Sequence, residues 1–594
     1  MVYVKMNYRP LINILKILSV IIILFSIRSF SDARYVSKTG KSQFPYTSWE
    51  TAADSIQKCL NICDNGDTVY VGNGVYKENL LVNKSISLIG SSMDSTIVDG
   101  RGMGDNTIEF DVTGNIEDIC VYGKGFDIPY TSAIWIQNNN TEIKFCRSSN
   151  AAAGIATFNS SSHIHDVIIT NSIYGYDQGC YDNSCNNHIT NCLIIFKNTY
   201  STGIEAGGGG DVFIQNNIII NEGANPQNGI SLGWPNRVYI SNNLISGFNP
   251  NIYIDWLQDT VFIFNNIVSN KKYSTMGIYD GSIYTEQDNV VMKNNILENN
   301  YNSAFVGSRG YVNNNYNIFW KNVNDLYGVN YGDSDRVVDP MFVKDTIPTS
   351  KSNYDFHLQA FSPGVHKGDP SILNKDGSRS DIGMFGGPYS EVYKYNDLAP
   401  KPPRNLTAVV DSSKITLKWR KNTEADTAFY NLYCDTIFNF AITPAKLLSR
   451  QRDTICNQPL PVNIKHLYYK LTAEDKMGHF SVPSAELAIT LNSIGSNYFI
   501  IQDYKLFQNY PNPFNPNTII SYALKDRGYV KLMVYDITGS LIKVLINETK
   551  QPGYYETEFN AKGLASGIYL YRLEVIGKGN IPVFSDMKKT ILLK

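Results

Sequence analysis

Three carboxylates and three aromatic rings, spaced about one structural coil apart, are the side chains of this 594-residue chain best suited to act on another molecule. Short segments between Ala133 and Gly307 lie over one another in register: AIWIQ, GIATF, GYDQG, GIEAG, GISLG, NIYID, GIYDG and SAFVG. With Ile or its equivalent pointing inward, the alternation of a β-strand turns the next residue outward. The outward column is then Trp135, Ala156, Asp177, Glu205, Ser231, Tyr253, Tyr279 and Phe305, beside a second column containing Gln137, Phe158 and Asp255. Stacked coils set equivalent residues about 5 Å apart, so Asp177 and Glu205 are expected to be adjacent carboxylates between aromatics. That combination suits a saccharide: Trp135, Tyr253 and Tyr279 offer faces for sugar rings. Asp177, Glu205 and Asp255 can accept hydroxyl protons, divide acid and base roles, or hold calcium, the one candidate cofactor. The competing reading is a row of solvated residues on a sheet, and a slip of one residue would turn the column inward.

The elements that must carry this column repeat. From Ile143 to Trp320 an alternating apolar strand is followed by Asn and a short apolar run, as in VIITNSI, HITNCLI, VFIQNNIII, VYISNNLIS, VFIFNNIVS, VVMKNNILE and NNNYNIFW. Copies recur every ~20–30 residues, the period of a solenoid whose stacked coils join their apolar faces into one core. Asn171, Asn191, Asn216, Asn242, Asn265 and Asn294 fall at the bends. Asn tolerates left-handed backbone angles there and can bond its neighbour one coil away, so these are structural residues.

Here the sequence resembles the right-handed parallel β-helix proteins of the pectate-lyase-like superfamily. GDTVYVGNGVYKENLLVNKSISLIG, Gly66 to Gly90, looks like the first coil, with a capping helix near Trp49 to Cys59. VVDPMFV, DFHLQAFSPGVHKGDP and DGSRSDIGMFGGP resemble the closing segment of secreted members. The resemblance covers about 350 residues and implies a fold shared by lyases, hydrolases, esterases, epimerases and proteins that only bind. A lyase of this kind needs a base, often Lys or Arg, and Arg237, Lys271, Lys272 and Arg309 lie in no recognisable motif. The paired aspartates and His-Gly step of polygalacturonase-like proteins are missing, which counts against that hydrolase. Asp376, Arg379 and Asp381 read as closing the last turn rather than binding calcium, and His163, His165 and His188 show no metal spacing. EAGGGGDV lacks the Lys and helix of a phosphate loop and reads as a turn.

Two further modules follow the break NDLAPKPPRNL. Residues 400–493 place Trp419, Tyr430, Tyr433 and Tyr469 on alternating strands and resemble a fibronectin type III sandwich, usually a spacer. Residues 505–594 open with FQNYPNPFNPNTIISYAL, pass through VYDITGSLI and LASGIYLYRL, and end in KKTILLK. These closely resemble the C-terminal sorting domain of the type IX secretion system, a signal recognised at the outer membrane of Gram-negative bacteria. The prolines of its opening fix their own φ and push preceding residues away from helix, giving a preset extended or turning segment.

At the other end, Lys5 and Arg9 precede an apolar run and the small residues of SFSDA, the order of a signal peptide over residues 1–33. The expected architecture is therefore all-β: signal peptide, a right-handed parallel β-helix over 34–395, then two small sandwiches. Aromatic residues make up 12% of the chain and charged residues only 18%, which fits a secreted β-protein rather than a helical bundle. Lys plus Arg number 52 against 54 Asp plus Glu, so no basic field draws nucleic acid or anionic lipid. Of nine cysteines, Cys180 with Cys185 and Cys434 with Cys456 are candidate pairs. The expected protein is a monomer, secreted or displayed at the cell surface, whose partners are polysaccharide and the outer-membrane secretion and sorting machinery. It either processes glycan, by calcium-assisted β-elimination in the leading form, or binds glycan as a non-catalytic adhesin.

Overall fold

The computed structural model describes residues 31–125, 131–137, 140–181, 185–197, 200–223, 226–269, 281–286, 289–300, 303–307, 312–344, 355–411, 414–461, 464, 466–491, 503–550, 553–577 and 581–593. They form two compact units divided between Asn396 and Asp397. The expected signal peptide, apart from its last residues, lies outside the described residues.

The first unit is a parallel β-solenoid. One face is a 12-stranded sheet running from Ala33–Val36 to Val312–Asn315, each strand paired in parallel with its equivalent one coil away. A second face stacks Leu193–Phe196, Ile218–Asn221, Leu244–Ser246, Ile267–Ser269, Ile296–Glu298 and Ile318–Trp320. The third stacks Thr202–Gly208, Ile230–Gly233, Ile252–Asp255, Gly281–Thr285 and Ser303–Gly307. The long strands Arg147–Phe158 and Ile168–Cys180 bend from the second face into the third. Short β-branched strands cannot bury an apolar face alone, so the core is a column through the coils. Ile134, Ile155, Tyr176, Ile204, Ile230, Ile252 and Ile283 pair in register, and all are fully buried.

Asparagine at the bends divides its work between two neighbours. Asn171, Asn191, Asn216, Asn242, Asn265 and Asn294 take left-handed φ between 52° and 60°. The ladder belongs to the asparagine that follows each of the last four. Asn217, Asn243, Asn266 and Asn295 are buried, and each donates its side-chain amide to the Oδ1 of the next, at 3.0 Å, ending on Asn317. Asn243→Ala would remove the acceptor of two bonds from Asn217 and the donor of bonds to Ile214 O and Asn266. Leaving several buried groups unpaired costs about 3 kcal/mol or more, read as a lowered midpoint for solenoid unfolding in denaturant.

The segment after Asp355 packs on these bends. Asn242 donates to Met384 O and Gly386 O, Asn265 donates to Asp381 O, and Asn294 Oδ1 accepts from Asp369 N. Asp381 accepts from Tyr395 and from His366 N, Asp376 caps Ser378, and Arg379 donates to Gly368 O. This polar cluster closes the solenoid. The helix near the opposite end is shorter than expected, Ile56–Leu60, because Ser55 caps it and Glu78 takes up the first-turn N–H groups. Trp49 lies outside it and is half exposed.

The second unit holds two antiparallel arrangements. In the first, three strands (Arg404–Val410, Lys414–Arg420, Ile455–Pro459) and four (Leu447–Gln451, Thr427–Asp435, His466–Asp475, Leu487–Thr490) enclose Trp419, Tyr430 and Tyr469. Tyr433 is buried as well. Cys434 and Cys456 are free thiols, so that candidate pair does not form, whereas Cys180 and Cys185 are bonded. In the second arrangement, the opening Phe507–Thr518 is folded onto the strands. Tyr571 donates its hydroxyl to Phe507 O and accepts from Asn509 N. Phe514 N donates to Ile591 O, Leu593 N to Phe514 O, and Ile591 N to Asn512 Oδ1.

Candidate functional site

On the third face, strand pairing matches Trp135 with Ala156, Ala156 with Asp177, Asp177 with Glu205, Glu205 with Ser231 and Ser231 with Tyr253. Six positions of the expected column are therefore in register and outward. The register departs at the last two. Tyr284, not Tyr279, pairs with Tyr253, and Tyr279 lies outside the described residues. Phe305 pairs with Ile283 and is fully buried, so Val306 takes the outward place beside Tyr284. The larger ring fills the interior, and one residue of shift exchanges the faces.

Aromatic rings bracket the acids. Trp135 stacks with Phe158 at 6.2 Å and 16°, and Phe158 meets exposed Tyr181 edge-on at 5.2 Å. On the other side Tyr253 stacks with Tyr284 at 5.6 Å and 4°. Asp255 is not part of the acid pair. It lies in the neighbouring column, two coils from Glu205, where it accepts from the Tyr253 hydroxyl at 3.3 Å and from Trp256 N. Glu286 does the same for Tyr284 at 2.5 Å. These carboxylates orient rings.

The second column shows what sequence reasoning missed: Phe158, Gly179, Gly207, Gly233 and Asp255 pair in succession. Three glycines leave a slot beside Asp177, Glu205 and Ser231. A Cβ at Gly233 would meet nothing within 4 Å, and one at Gly207 would meet only Gln178 O at 3.1 Å. The Cys180–Cys185 disulfide, with Cα atoms 6.5 Å apart, pins the chain at the edge of that slot. Glu109, paired with Trp135, extends the column by one acid.

Both central carboxylates are partly withdrawn from water. Burial raises Asp177 above the usual carboxylate range. Burial, then the negative charge of Asp177, pushes Glu205 up to about 7, while a hydrogen bond with Ser231 pulls it back. Two like charges on adjacent coils disfavour double ionisation, so near neutral pH the pair offers a base and an acid together. As a calcium site the pair is thin: two carboxylates fall well short of about six to eight oxygen ligands.

Other groupings were not visible as motifs. Glu142, His163 and His165 have ligand atoms within 4.8 Å of one another on the 12-stranded sheet, because Glu142 pairs with His163 one coil away. His163 and His165, which show no metal spacing along the chain, thus stand beside a carboxylate in the fold. Arg237 pairs with Asp211 away from the groove, and Lys271, Lys272 and Arg309 lie outside the described residues.

Comparison with known proteins agrees with this architecture. A family described as "Right handed beta helix region" matches residues 180–346, and one described as "Secretion system C-terminal sorting domain" matches residues 508–580. No curated protein matches the chain. Among solved structures it is similar to pectate lyase Pel9A, at 15% identity over 60% of this chain and 96% of that chain, with a TM-score of 0.42. It is also similar to XylC in complex with xylose (9%, 61% and 99%, 0.34) and to the PL6 family alginate lyase AlyGC (11%, 58% and 58%, 0.29). The chain is an all-β protein built on a parallel β-helix. It carries the sorting domain of proteins exported by the type IX secretion system, and its destination is the cell surface or the exterior.

Proposed function

We propose that the groove on the third face binds a polysaccharide and that the Asp177–Glu205 pair cleaves it. The observation that carries this reading is the in-register pair of partly buried carboxylates beside a glycine slot, bracketed by stacked rings. Sugar rings lie on Trp135 and Phe158 at one end and on Tyr253 and Tyr284 at the other. In a β-elimination Asp177 takes the proton next to the uronate carboxyl and Glu205 protonates the departing glycosidic oxygen. The C–H and C–O bonds break, and their electrons form the new double bond and leave with the oxygen. Calcium, the candidate cofactor, would supply positive charge to a uronate carboxylate, but it would need oxygen ligands beyond Asp177 and Glu205, which are engaged in proton transfer. The protein works as a monomer, its partners being polysaccharide and the secretion machinery. The first sandwich of the second unit serves as a fibronectin type III-like spacer.

Incubating the mature chain with uronate-containing polysaccharides and Ca²⁺ should release unsaturated products that absorb in the ultraviolet. Absence of product with every polysaccharide, together with retained binding, would overturn cleavage. Gly233→Phe should cut turnover about 10-fold or more with an unchanged unfolding midpoint, since a Cβ there meets nothing within 4 Å and the ring extends into the slot.

A second reading, adhesion without turnover, has its own observation. On the 12-stranded sheet His188, Phe213, Tyr239 and Phe262 stack face to face at 4.3, 4.8 and 5.0 Å, an aromatic strip on a different face from the acids. Glycan binding lost in Tyr239→Ala but kept in Glu205→Gln would favour adhesion.

A further inference from the structure

At one end of the first sandwich of the second unit, four carboxylates converge with too few donors. Asp397 lies on the segment leading into the sandwich, Glu424 and Asp426 precede the strand Thr427–Asp435, and Asp475 ends the strand His466–Asp475. Ligand atoms of Asp397, Asp475 and His479 lie within 4.8 Å of one another. Asp426 immediately precedes Thr427, whose ladder partner is Asp475, and burial, then the charges of Asp397, Asp475 and Glu424, hold Asp426 above the usual carboxylate range.

The available donors are used elsewhere. Asp475 Oδ1 accepts from Met477 N and His479 N, and Glu424 Oε1 accepts from Lys401 N. His479 Nδ1 stands 2.9 Å from Asp475 Oδ2 and 3.3 Å from Asp397 Oδ2, and one ring nitrogen carries one proton, which serves the nearer oxygen. Lys476 Nζ donates to Ala425 O. Both oxygens of Asp397, Asp426 Oδ2 and Thr427 Oγ1 are shielded from solvent without a hydrogen-bond partner. Asp426 is 1% exposed. Thr427 pairs with Asp475 across the ladder, so its hydroxyl is on the same face as that carboxylate. Buried carboxylate oxygens left without donors are costly, and a hard divalent cation with oxygen ligands removes that cost.

We propose that this end of the sandwich is a calcium site, with Asp397, Asp426, Asp475 and Thr427 as oxygen ligands. The bound ion ties the incoming segment at Asp397 to the Asp475–His479 turn. Nothing in it depends on the groove of the solenoid.

Calorimetric titration of chelator-treated full-length mature chain with Ca²⁺ alone is expected to show a site with an affinity in the range of about 10⁻⁶–10⁻³ M. Asp426→Asn should weaken that site at least 10-fold, whereas the Asp177→Asn, Glu205→Gln double variant should retain it. Saturating Ca²⁺ should raise an unfolding midpoint by about 5 °C in the wild type and not in Asp426→Asn. In chelator Asp426→Asn should unfold at or above the wild-type midpoint, since it removes an unpaired charge, and this separates loss of a ligand from loss of fold. The inference is overturned if the wild type binds no Ca²⁺, if Asp426→Asn binds it as tightly, or if only the groove double variant loses the heat of binding.

Discussion

Glu205→Gln is expected to lower polysaccharide turnover by about 100-fold or more, because the amide keeps the shape of the side chain and removes its proton transfer. The wild-type rate should fall as pH rises through about 7, where the Glu205 acid loses its proton. Stability carries the same signature. The folded-state value of Glu205 is raised from 4.5 to about 7, so the folded chain holds this proton more tightly than the unfolded chain. Its contribution is fully present below pH 4.5 and is lost as pH rises through about 7. Glu205→Gln should therefore unfold near the wild-type temperature at pH 4.5 and about 1–3 °C above it at pH 8.5. A variant that loses activity but follows the wild-type stability curve at every pH would place the raised carboxylate elsewhere. Asp177→Asn should also lose activity and lower the value of Glu205, since it deletes the neighbouring charge.

The second large effect concerns destination. Deleting residues from Lys505 onward should leave the chain in the periplasm, with essentially none at the surface or in the medium, measured by fractionation and surface labelling. The deleted part holds its own core, with Leu506, Phe514, Tyr522, Leu532, Phe559, Tyr571 and Leu573 buried together. Normal surface display without it would remove the sorting role. Tyr571→Phe is a finer probe: its hydroxyl is the partner of both Phe507 O and Asn509 N, so the variant should loosen the opening segment and slow export while keeping the core ring.

Much of the solenoid was legible because its signal is one of period. Alternating Ile and paired Asn recur at coil length, and the strands from Ser132 to Asp255 stack with the register that period implies. The reading slipped where two local patterns compete. Ile278-Tyr279 and Ile283-Tyr284 offer the same inward-outward pair, and only stacking on Ile252-Tyr253 selects the second. At Phe305 the smaller Ala304 was aligned inward, whereas the ring is the side chain that fills the column under Ile283. Gly179, Gly207 and Gly233 read as punctuation along the chain, and only lateral stacking turns them into a slot. Glu142 and His163 are brought together by a ladder between adjacent coils, and Asp475 meets Thr427, next to Asp426, across a ladder while Asp397 approaches from the segment before the sandwich. Asp255 carried the right chemistry and the wrong neighbour, since the tyrosine two residues earlier on its own strand already occupies it.

The proline-asparagine opening of the last module has a consequence for when the chain can leave. Asn512 and Phe514 bond to Ile591, and Gln508 donates to Lys589 O, so the opening of the module is held by a strand about 80 residues further along the chain. A chain without Ile591 keeps YPNPFNPN and the bonds of its flanks to Tyr571 but loses the hold of the far strand. Machinery that reads the folded form of this segment would thereby sense whether the far strand of the module is in place, without inspecting the solenoid.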